Sequence, residues 1–184
     1  MRWAALLLLV VPSTASAWDF GARIGAGKRL IDDQPAGVAD GNLGPVGELS
    51  AHLALIPLLR VGPVLSMELS PVAGQPTRRH YGAGLEARVF APLPWQVRPF
   101  VYVGVRGVWV HQSASGALGS GSGGYMSIPF GFGVSAPVYP SVRFVMTLGG
   151  DGAFAHGGGL YKAPHDIGDD VFGVRGSVGV DFEF

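Results

Sequence analysis

Apolar and polar side chains alternate along most of this chain with a period of two. In the first such run, residues 18–28, Trp18, Phe20 and Ile24 fall on one face, whereas Asp19 and Arg23 fall on the other. This period sends successive side chains to opposite sides of a sheet, so the pattern predicts β-strands. Similar runs follow at 48–55, 60–70, 80–89, 101–109, 126–135, 142–154 and 172–184, which makes eight predicted strands. We expect strands of roughly 11–15 residues each.

The connections between these runs alternate in length. Short links are predicted near 56–59, 92–97 and 137–140, and longer polar or glycine-rich links near 31–42, 71–79, 112–123 and 156–169. An even number of strands, with short turns at one end and long loops at the other, is typical of bacterial outer-membrane barrels. The sequence therefore predicts an all-β fold, an eight-stranded antiparallel up-and-down transmembrane β-barrel over residues 18–184. Both termini are expected in the periplasm, and the long loops are expected outside the cell.

The first 17 residues have the features of a secretory signal peptide. Arg2 provides a positive n-region, an apolar stretch follows, and Ala-Ser-Ala at 15–17 matches the small-residue pattern of a cleavage site. The apolar stretch is far shorter than the about 20 residues that a membrane-spanning helix needs. We expect cleavage after Ala17 and a mature chain that begins at Trp18. A buried N-terminal helix is the alternative.

Composition narrows the class of protein. The chain of 184 residues is 48% hydrophobic and only 14% charged, with a mean hydropathy of +0.33. Outside the signal, no apolar run reaches the length of a membrane helix, and in lipid only helices and closed barrels satisfy every backbone polar group. The absence of Cys excludes disulfides and thiolate metal sites. With 13 basic against 13 acidic side chains and no basic patch, nucleic acid is not an expected partner.

Aromatic side chains on the apolar face occur near the strand ends. Aromatic rings prefer membrane–water interfaces, so these positions predict two girdles. The periplasmic girdle contains Trp18, Phe20, Phe144, Phe182 and Phe184, and the outer one contains Tyr81, Trp109, Phe154 and Phe172. No Lys, Arg, Asp or Glu falls on the predicted lipid face of any strand. This agrees with a bilayer environment, because Arg or Lys near the midplane would cost about 2–4 kcal/mol. A soluble barrel of the lipocalin type, with its apolar face inside, is the alternative.

The polar face carries charges of both signs that are predicted to point into the lumen. The cations are Arg23, Arg60, Arg88, Arg106, Arg143 and Arg175, and the anions are Asp19, Glu48, Glu68, Glu86, Asp151, Asp181 and Glu183. The interior of an eight-stranded barrel is just wide enough for its side chains, and unpaired buried charges are costly. We therefore expect a network of ion pairs that plugs the lumen. A gated ion path is the alternative.

The C-terminal run contains a recognisable motif. It reads polar, x, Gly, x, x, aromatic, x, aromatic, with Ser177, Gly179, Phe182 and Phe184 at the defined positions. This resembles the β-signal by which the barrel assembly machinery recognises its substrates. Over residues 18–184, the chain resembles the small outer-membrane barrel family of the OmpA/OmpX type. The resemblance implies the cell outer membrane as location, and outer-membrane lipid, lipopolysaccharide and the assembly machinery as partners. We expect a monomer.

Three polar motifs are candidate sites of chemistry. His111-Gln-Ser113 resembles the His-x-Ser element of outer-membrane lipid A deacylases, but no acidic residue occurs between Ser113 and Phe144 to complete that family's catalytic set. Gly-Ala-Gly-Lys at 25–28 lacks the full phosphate-loop motif. A divalent-cation site is a further hypothesis, although the glycine-rich segment favours a solvated loop; its ligands would be His156, His165, Asp166, Asp169 and Asp170.

We therefore expect no cofactor and no enzymatic activity. The expected role is structural, or an interaction at the cell surface through the outer loops. The alternatives are a narrow channel for small solutes and a lipid-acting outer-membrane enzyme.

Overall fold

The structure, a computed structural model, describes residues 17–31, 42–72, 75–112, 121–158 and 171–184. Eight antiparallel strands form one closed barrel, in which each strand pairs with the next along the chain and β8 pairs with β1. This confirms the predicted fold class. The strands are β1 (Trp18–Ile31), β2 (Gly44–Ile56), β3 (Leu59–Val72), β4 (Gln75–Phe90), β5 (Arg98–Gln112), β6 (Gly121–Tyr139), β7 (Val142–Gly158) and β8 (Val171–Glu183).

The barrel closes where β8 meets β1. Thirteen paired positions run from Asp19 opposite Glu183 to Ile31 opposite Val171. At the end of this seam, the N–H of Trp18 donates to the carbonyl of Phe184 at 3.2 Å, and the N–H of Phe184 donates to the carbonyl of Trp18 at 2.9 Å. We call this end of the barrel the terminal end and the opposite one the far end. Closure removes the unpaired strand edges that an open sheet would present.

Apolar side chains cover the outside of the barrel, and polar side chains fill the inside. Two consecutive residues of β4 illustrate the change of face: Leu85 is 56% exposed, whereas Glu86 is 2% exposed. The same alternation holds in the seven other strands, as the period of two predicts. A soluble barrel of the lipocalin type would have the opposite arrangement. Within the described part of the chain, no helix is long and apolar enough to cross a membrane.

Two predicted connections differ from the structure. The long link predicted at 71–79 is wrong, because β3 continues to Val72 and β4 begins at Gln75, and these two residues pair. The polar composition that predicted a loop belongs instead to strand residues on both faces, since Arg78 points into the lumen whereas Thr77 and Arg79 are exposed. A register shift between Ser70 and Val72 accommodates Pro71. At the terminal end, β6 continues to Tyr139, and the turn predicted near 137–140 consists of residues 140–141.

The short links at 57–58 and 91–97 lie where the sequence predicts them. The other three predicted long links lie mainly outside the described residues. The strands have 13 to 19 residues, so the longest exceed the expected range.

Two prolines interrupt the backbone ladders inside strands. The pairing of β2 with β3 skips from Ser50 to Leu53 opposite Pro63. The pairing of β5 with β6 skips from Val103 to Arg106 opposite Pro129. Each proline lacks the N–H that this side of the ladder would use. Each still has a residue partner on its other side, in β4 or β7.

Candidate functional site

The interior of the barrel contains eight buried arginines and six buried carboxylates among the residues that the structure describes. Because β-strand side chains alternate between faces, every second residue of a strand enters this space. The arginines are Arg23, Arg29, Arg60, Arg78, Arg88, Arg106, Arg143 and Arg175, and the carboxylates are Asp19, Glu48, Glu68, Glu86, Asp151 and Asp181. They come from every strand except β6. We call this set the lumen network.

Arg88 lies at the centre of the lumen network and is fully buried. Its Nε donates to Glu86 Oε1 at 2.9 Å, and its Nη1 donates to Asp181 Oδ2 at 2.7 Å. Its Nη2 lies 3.4 Å from Ser50 Oγ, and its guanidinium lies 5.5 Å from the centroid of the Phe100 ring. One side chain of β4 therefore links β2, β5 and β8 across the lumen.

Glu86 connects this centre to two further basic side chains, Arg23 and His52. Its Oε1 is 3.6 Å from Arg23 Nη2 and 3.5 Å from His52 Nε2. The Nε and Nη2 of Arg23 and both ring nitrogens of His52 have no hydrogen-bond partner among the described residues. Since buried polar groups are almost always hydrogen-bonded in native proteins, these atoms mark the place where ordered water is most needed in the lumen.

A second cluster lies nearer the far end and is organised by Arg29. Its Nε and Nη2 donate to the two oxygens of Glu68 at 2.9 and 2.7 Å, and its Nη1 donates to Asp151 Oδ2 at 2.7 Å. The Oγ of Ser70 donates to Glu68 Oε1 at 3.1 Å. Two-pronged pairing of this kind is the strongest geometry available to a guanidinium and a carboxylate.

Glu48 lies between the two clusters and pairs with two cations. Its Oε1 accepts from Arg106 Nη2 at 3.0 Å and is 3.7 Å from Arg175 Nη1. Arg106 also donates from Nη1 to Ser66 Oγ at 2.9 Å. This pairing joins β2, β5 and β8 one level above Arg88.

The terminal end contains the third cluster. Arg60 pairs with Asp19 and, at 3.0 Å, with Glu183. Arg143 is 3.8 Å from the same Glu183 carboxylate, and its Nε donates to Ser135 Oγ at 2.7 Å. Apolar and aromatic side chains fill the space beside these charges, and they are Phe90, Phe100, Tyr102 and Val145.

Some inward glycines make room for the large side chains of the lumen. A Cβ built on Gly173 would meet Asp151 Oδ1 and lie 2.6 Å from Arg29 Nη1. One built on Gly82 would meet Ser66 Oγ and lie 2.6 Å from Arg106 Cδ. At these two positions the absence of a side chain leaves space for an arginine in a lumen that is only wide enough for its side chains.

The structure brings together every charged lumen residue that the sequence singled out. Each of the thirteen lies on the inner face and within 4.0 Å of an oppositely charged group. Sequence reasoning missed Arg29 and Arg78 because it ended the first strand at residue 28 and treated residue 78 as part of a loop. Continuing the period of two past Gly27 would have found Arg29. His52 and His80 follow the same period of two and are both buried in the lumen.

The expectation of an outer face without charges needs a correction. Lys28 and Arg79 are exposed and face outward, near the far end of β1 and β4. A long cationic side chain is tolerated there because it reaches the interface from a strand end, which the midplane does not allow.

The residues of the C-terminal motif divide between the two faces of β8. Ser177 points inward and shares a hydrogen bond with Thr147 at 2.6 Å, and Gly179 lies beneath Arg23. Phe182 and Phe184 point outward. The Phe184 ring lies 5.9 Å from Phe20, whose ring in turn lies 6.2 Å from Trp18.

The remaining sequence motifs are only partly within the described residues. His111 is exposed, and its Nδ1 lies 3.4 Å from Ser122 Oγ. Ser113, His165 and the three aspartates of the cation hypothesis lie outside the described residues, as does the side chain of His156. In the ranges that are described, no group of three or more His, Asp or Glu is arranged to hold a metal ion.

Comparison with known proteins gives matches in structure only. No protein-family model matches the chain, and no curated protein matches it in sequence. The crystal structure of Neisserial surface protein A (NspA) matches with a TM-score of 0.72 at 16% identity, covering 91% of this chain and 99% of that one. A major outer membrane protein of Thermus thermophilus matches with a TM-score of 0.60 at 15% identity, with coverages of 91% and 99%. The crystal structure of Ail, the attachment invasion locus protein of Yersinia pestis, matches with a TM-score of 0.56 at 12% identity, covering 92% of this chain and 99% of that one.

Because the sequence identities are low, the matches establish the fold and nothing further. The chain has the closed, eight-stranded antiparallel barrel of small outer-membrane proteins, with an apolar outer face and a charged interior.

Proposed function

We propose that the protein is an integral outer-membrane barrel of a Gram-negative bacterium. The termini lie in the periplasm, and the loops at the far end lie outside the cell. In this proposal the lumen network plugs the barrel, and the protein acts structurally or through contacts of its outer loops, without enzymatic activity. Lipid and lipopolysaccharide surround it, and the barrel assembly machinery inserts it through the C-terminal motif.

The observation that carries the proposal is the orientation of the two faces. Large apolar side chains around the whole barrel are exposed, including Ile24, Leu49, Val101 and Phe132, whereas the charges are inside. Water would disfavour such a surface, because monomeric soluble proteins rarely expose apolar patches larger than a few hundred Å². A bilayer removes this penalty, and the closed ladder leaves few backbone groups to satisfy. The aromatic rings at both strand ends suit the two interfaces.

The pairing within the lumen supports a plug. Arginines such as Arg88 and Arg106 cross the lumen to reach carboxylates on other strands. Eight-stranded barrels are only wide enough for their side chains, so crossing side chains take up the space that a solute would need.

The location and the plug have separate tests. Envelope fractionation should place the protein in the outer membrane, and unheated samples should migrate differently in gels from heated ones, because the closed ladder resists detergent. The purified barrel in planar bilayers should show no steady conductance comparable with that of a general porin. Recovery from the cytoplasm or the soluble periplasm would contradict the location. Steady, porin-like currents would contradict the plug.

A narrow channel is the second candidate, and it is favoured by the polar atoms of Arg23 and His52 that have no hydrogen-bond partner in the described part of the chain. Groups of this kind line water-filled paths as well as hydrated plugs. Small ion-selective currents that disappear on Arg106→Ala, in a variant that still shows the heat-dependent gel shift, would establish the channel.

A further inference from the structure

A groove of about 790 Å³ runs along the outer surface of β3 to β6. Small residues form its floor, namely Ala83, Gly107 and Gly124, and larger ones form its sides, namely Leu65, Tyr81, Trp109 and Met126. A Cβ built on Gly107 would meet only Met126 Sδ at 3.6 Å and the Ala83 carbonyl at 3.9 Å, so the space above it is open. The volume is within the about 300–1,000 Å³ typical of sites for small molecules.

The groove has a cationic and aromatic border towards the far end. Tyr81 and Trp109 are paired across β4 and β5, with ring centroids 6.1 Å apart. The next outward pair along these strands is Arg79 and His111, and both are exposed. In the described part of the chain, Arg79 forms no ion pair with a carboxylate. Ser122 lies beside His111 on β6. Moving along the barrel axis, the surface therefore changes from apolar to aromatic to cationic.

This order matches the order of groups in a phosphorylated lipid. Acyl chains occupy the hydrocarbon layer, aromatic side chains lie at the interface, and phosphates lie just beyond it. A guanidinium is the side chain best suited to a phosphate, since it donates two parallel hydrogen bonds.

We propose that this surface binds one molecule of the phosphorylated glycolipid of the outer leaflet, the lipid A part of lipopolysaccharide. One acyl chain lies in the groove over Gly107, and a phosphate contacts Arg79 with His111 as a second donor. The inference rests on the proposed function in one respect: the far end has to lie in the outer leaflet.

The groove and the cation can be tested separately, each with a matched control. Gly107→Leu fills the groove. Gly176→Leu is its control, because Gly176 also points outward with room above it, the nearest atoms to a Cβ being Leu148 Cδ1 at 3.6 Å and the Thr147 carbonyl at 3.7 Å. Arg79→Ala removes the phosphate contact, and Lys28→Ala is its control, because Lys28 is also an outward cation near the far end. Each variant is first checked for the heat-dependent gel shift that reports a closed barrel.

The first measurement uses protein refolded in detergent, to which lipid A is added, with phosphatidylglycerol and phosphatidylethanolamine in parallel samples. Native mass spectrometry should show one bound lipid A. Loss of a charge-assisted contact to phosphate should weaken its binding about tenfold or more in Arg79→Ala. Gly107→Leu should weaken it similarly, whereas the two control variants should bind as the wild type does. Equal binding of all three lipids, equal loss in a control, or a dimer in place of the lipid adduct would overturn the inference.

The second measurement uses protein extracted mildly from envelopes, where the wild type should retain lipid A. Retention of a phospholipid alone by protein recovered from the outer membrane would refute the site and leave the location intact. Recovery from another compartment, together with specific lipid A binding in the refolded samples, would refute the location and leave the binding site intact.

Discussion

The lumen network makes a quantitative prediction at Arg88. Replacing it by Met keeps much of the side-chain volume and removes the charge. Asp181 then loses its 2.7 Å partner, and its Oδ1 has no hydrogen-bond partner among the described residues, so the carboxylate is left buried without this cation. Glu86 loses the 2.9 Å contact but keeps Arg23 and His52 nearby.

The expected loss of stability is large. A hydrogen bond to a charged group contributes about 1.5–3 kcal/mol. Removing one partner of a buried pair typically costs about 3–5 kcal/mol, because the other charge stays buried and unpaired. Arg88 is fully buried and serves two carboxylates, so Arg88→Met should lower the free energy of unfolding by about 3–5 kcal/mol.

The measurement is reversible urea unfolding of the barrel in lipid vesicles, followed by tryptophan fluorescence. The exposed Arg98 at the terminal end supplies a control, and Arg98→Ala should change stability by no more than about 0.5 kcal/mol. The double variant Arg88→Met with Asp181→Asn should lose less than the sum of the two single variants, with a coupling of about 0.5–3 kcal/mol.

Two results would refute this reasoning. If Arg88→Met costs no more than Arg98→Ala, water screens the lumen charges and the network does not hold the barrel together. If the double variant loses the full sum, Arg88 and Asp181 are energetically independent despite their contact.

Three further predictions test other parts of the molecule. N-terminal sequencing of envelope material should begin at Trp18; an intact first residue would exclude cleavage after residue 17. A spin label at Leu53 should respond to oxygen dissolved in lipid and one at Arg143 to a water-soluble quencher; the reverse would favour a soluble barrel. Gly173→Val should displace the Arg29 guanidinium and lower stability by about 1–3 kcal/mol in the same urea assay; an unchanged midpoint would mean that the lumen has spare room.

The faces of the strands were predictable from sequence because alternation is a local property. Leu85 and Glu86 differ in hydropathy, and a sheet places neighbours on opposite sides, so no knowledge of partners was needed. The even strand count and the short turns then fixed an up-and-down order. The closed barrel follows from these, since an apolar sheet in lipid has no tolerable edge.

The pairing inside the lumen could not be predicted in this way. Whether Glu68 meets Arg29 or another arginine depends on register and stagger around the whole barrel, and register shifts such as the one between Met126 and Ser127 change them. The loop predicted at 71–79 was wrong for a related reason. Polarity there belongs to strand residues on both faces, Arg78 inside and Arg79 outside, and polarity alone does not distinguish the end of a strand from a solvated loop.

The seam between β1 and β8 has a consequence for how the chain acquires its structure. Asp19 and Glu183 are opposite each other but 164 positions apart in sequence, so their pairing is among the most non-local contacts that this chain can make. The entropic cost of closing such a long loop comes before the contact contributes any stabilising free energy. Folds dominated by distant pairings therefore form slowly.

Until β8 is in place, both β1 and β7 present open edges with apolar faces, which is the condition that promotes aggregation. A chain that lacks β8 is therefore expected to form an open seven-stranded sheet that is prone to aggregation. Whether such a chain reaches the folded state depends on how long its open edges are kept from pairing with other unfolded chains.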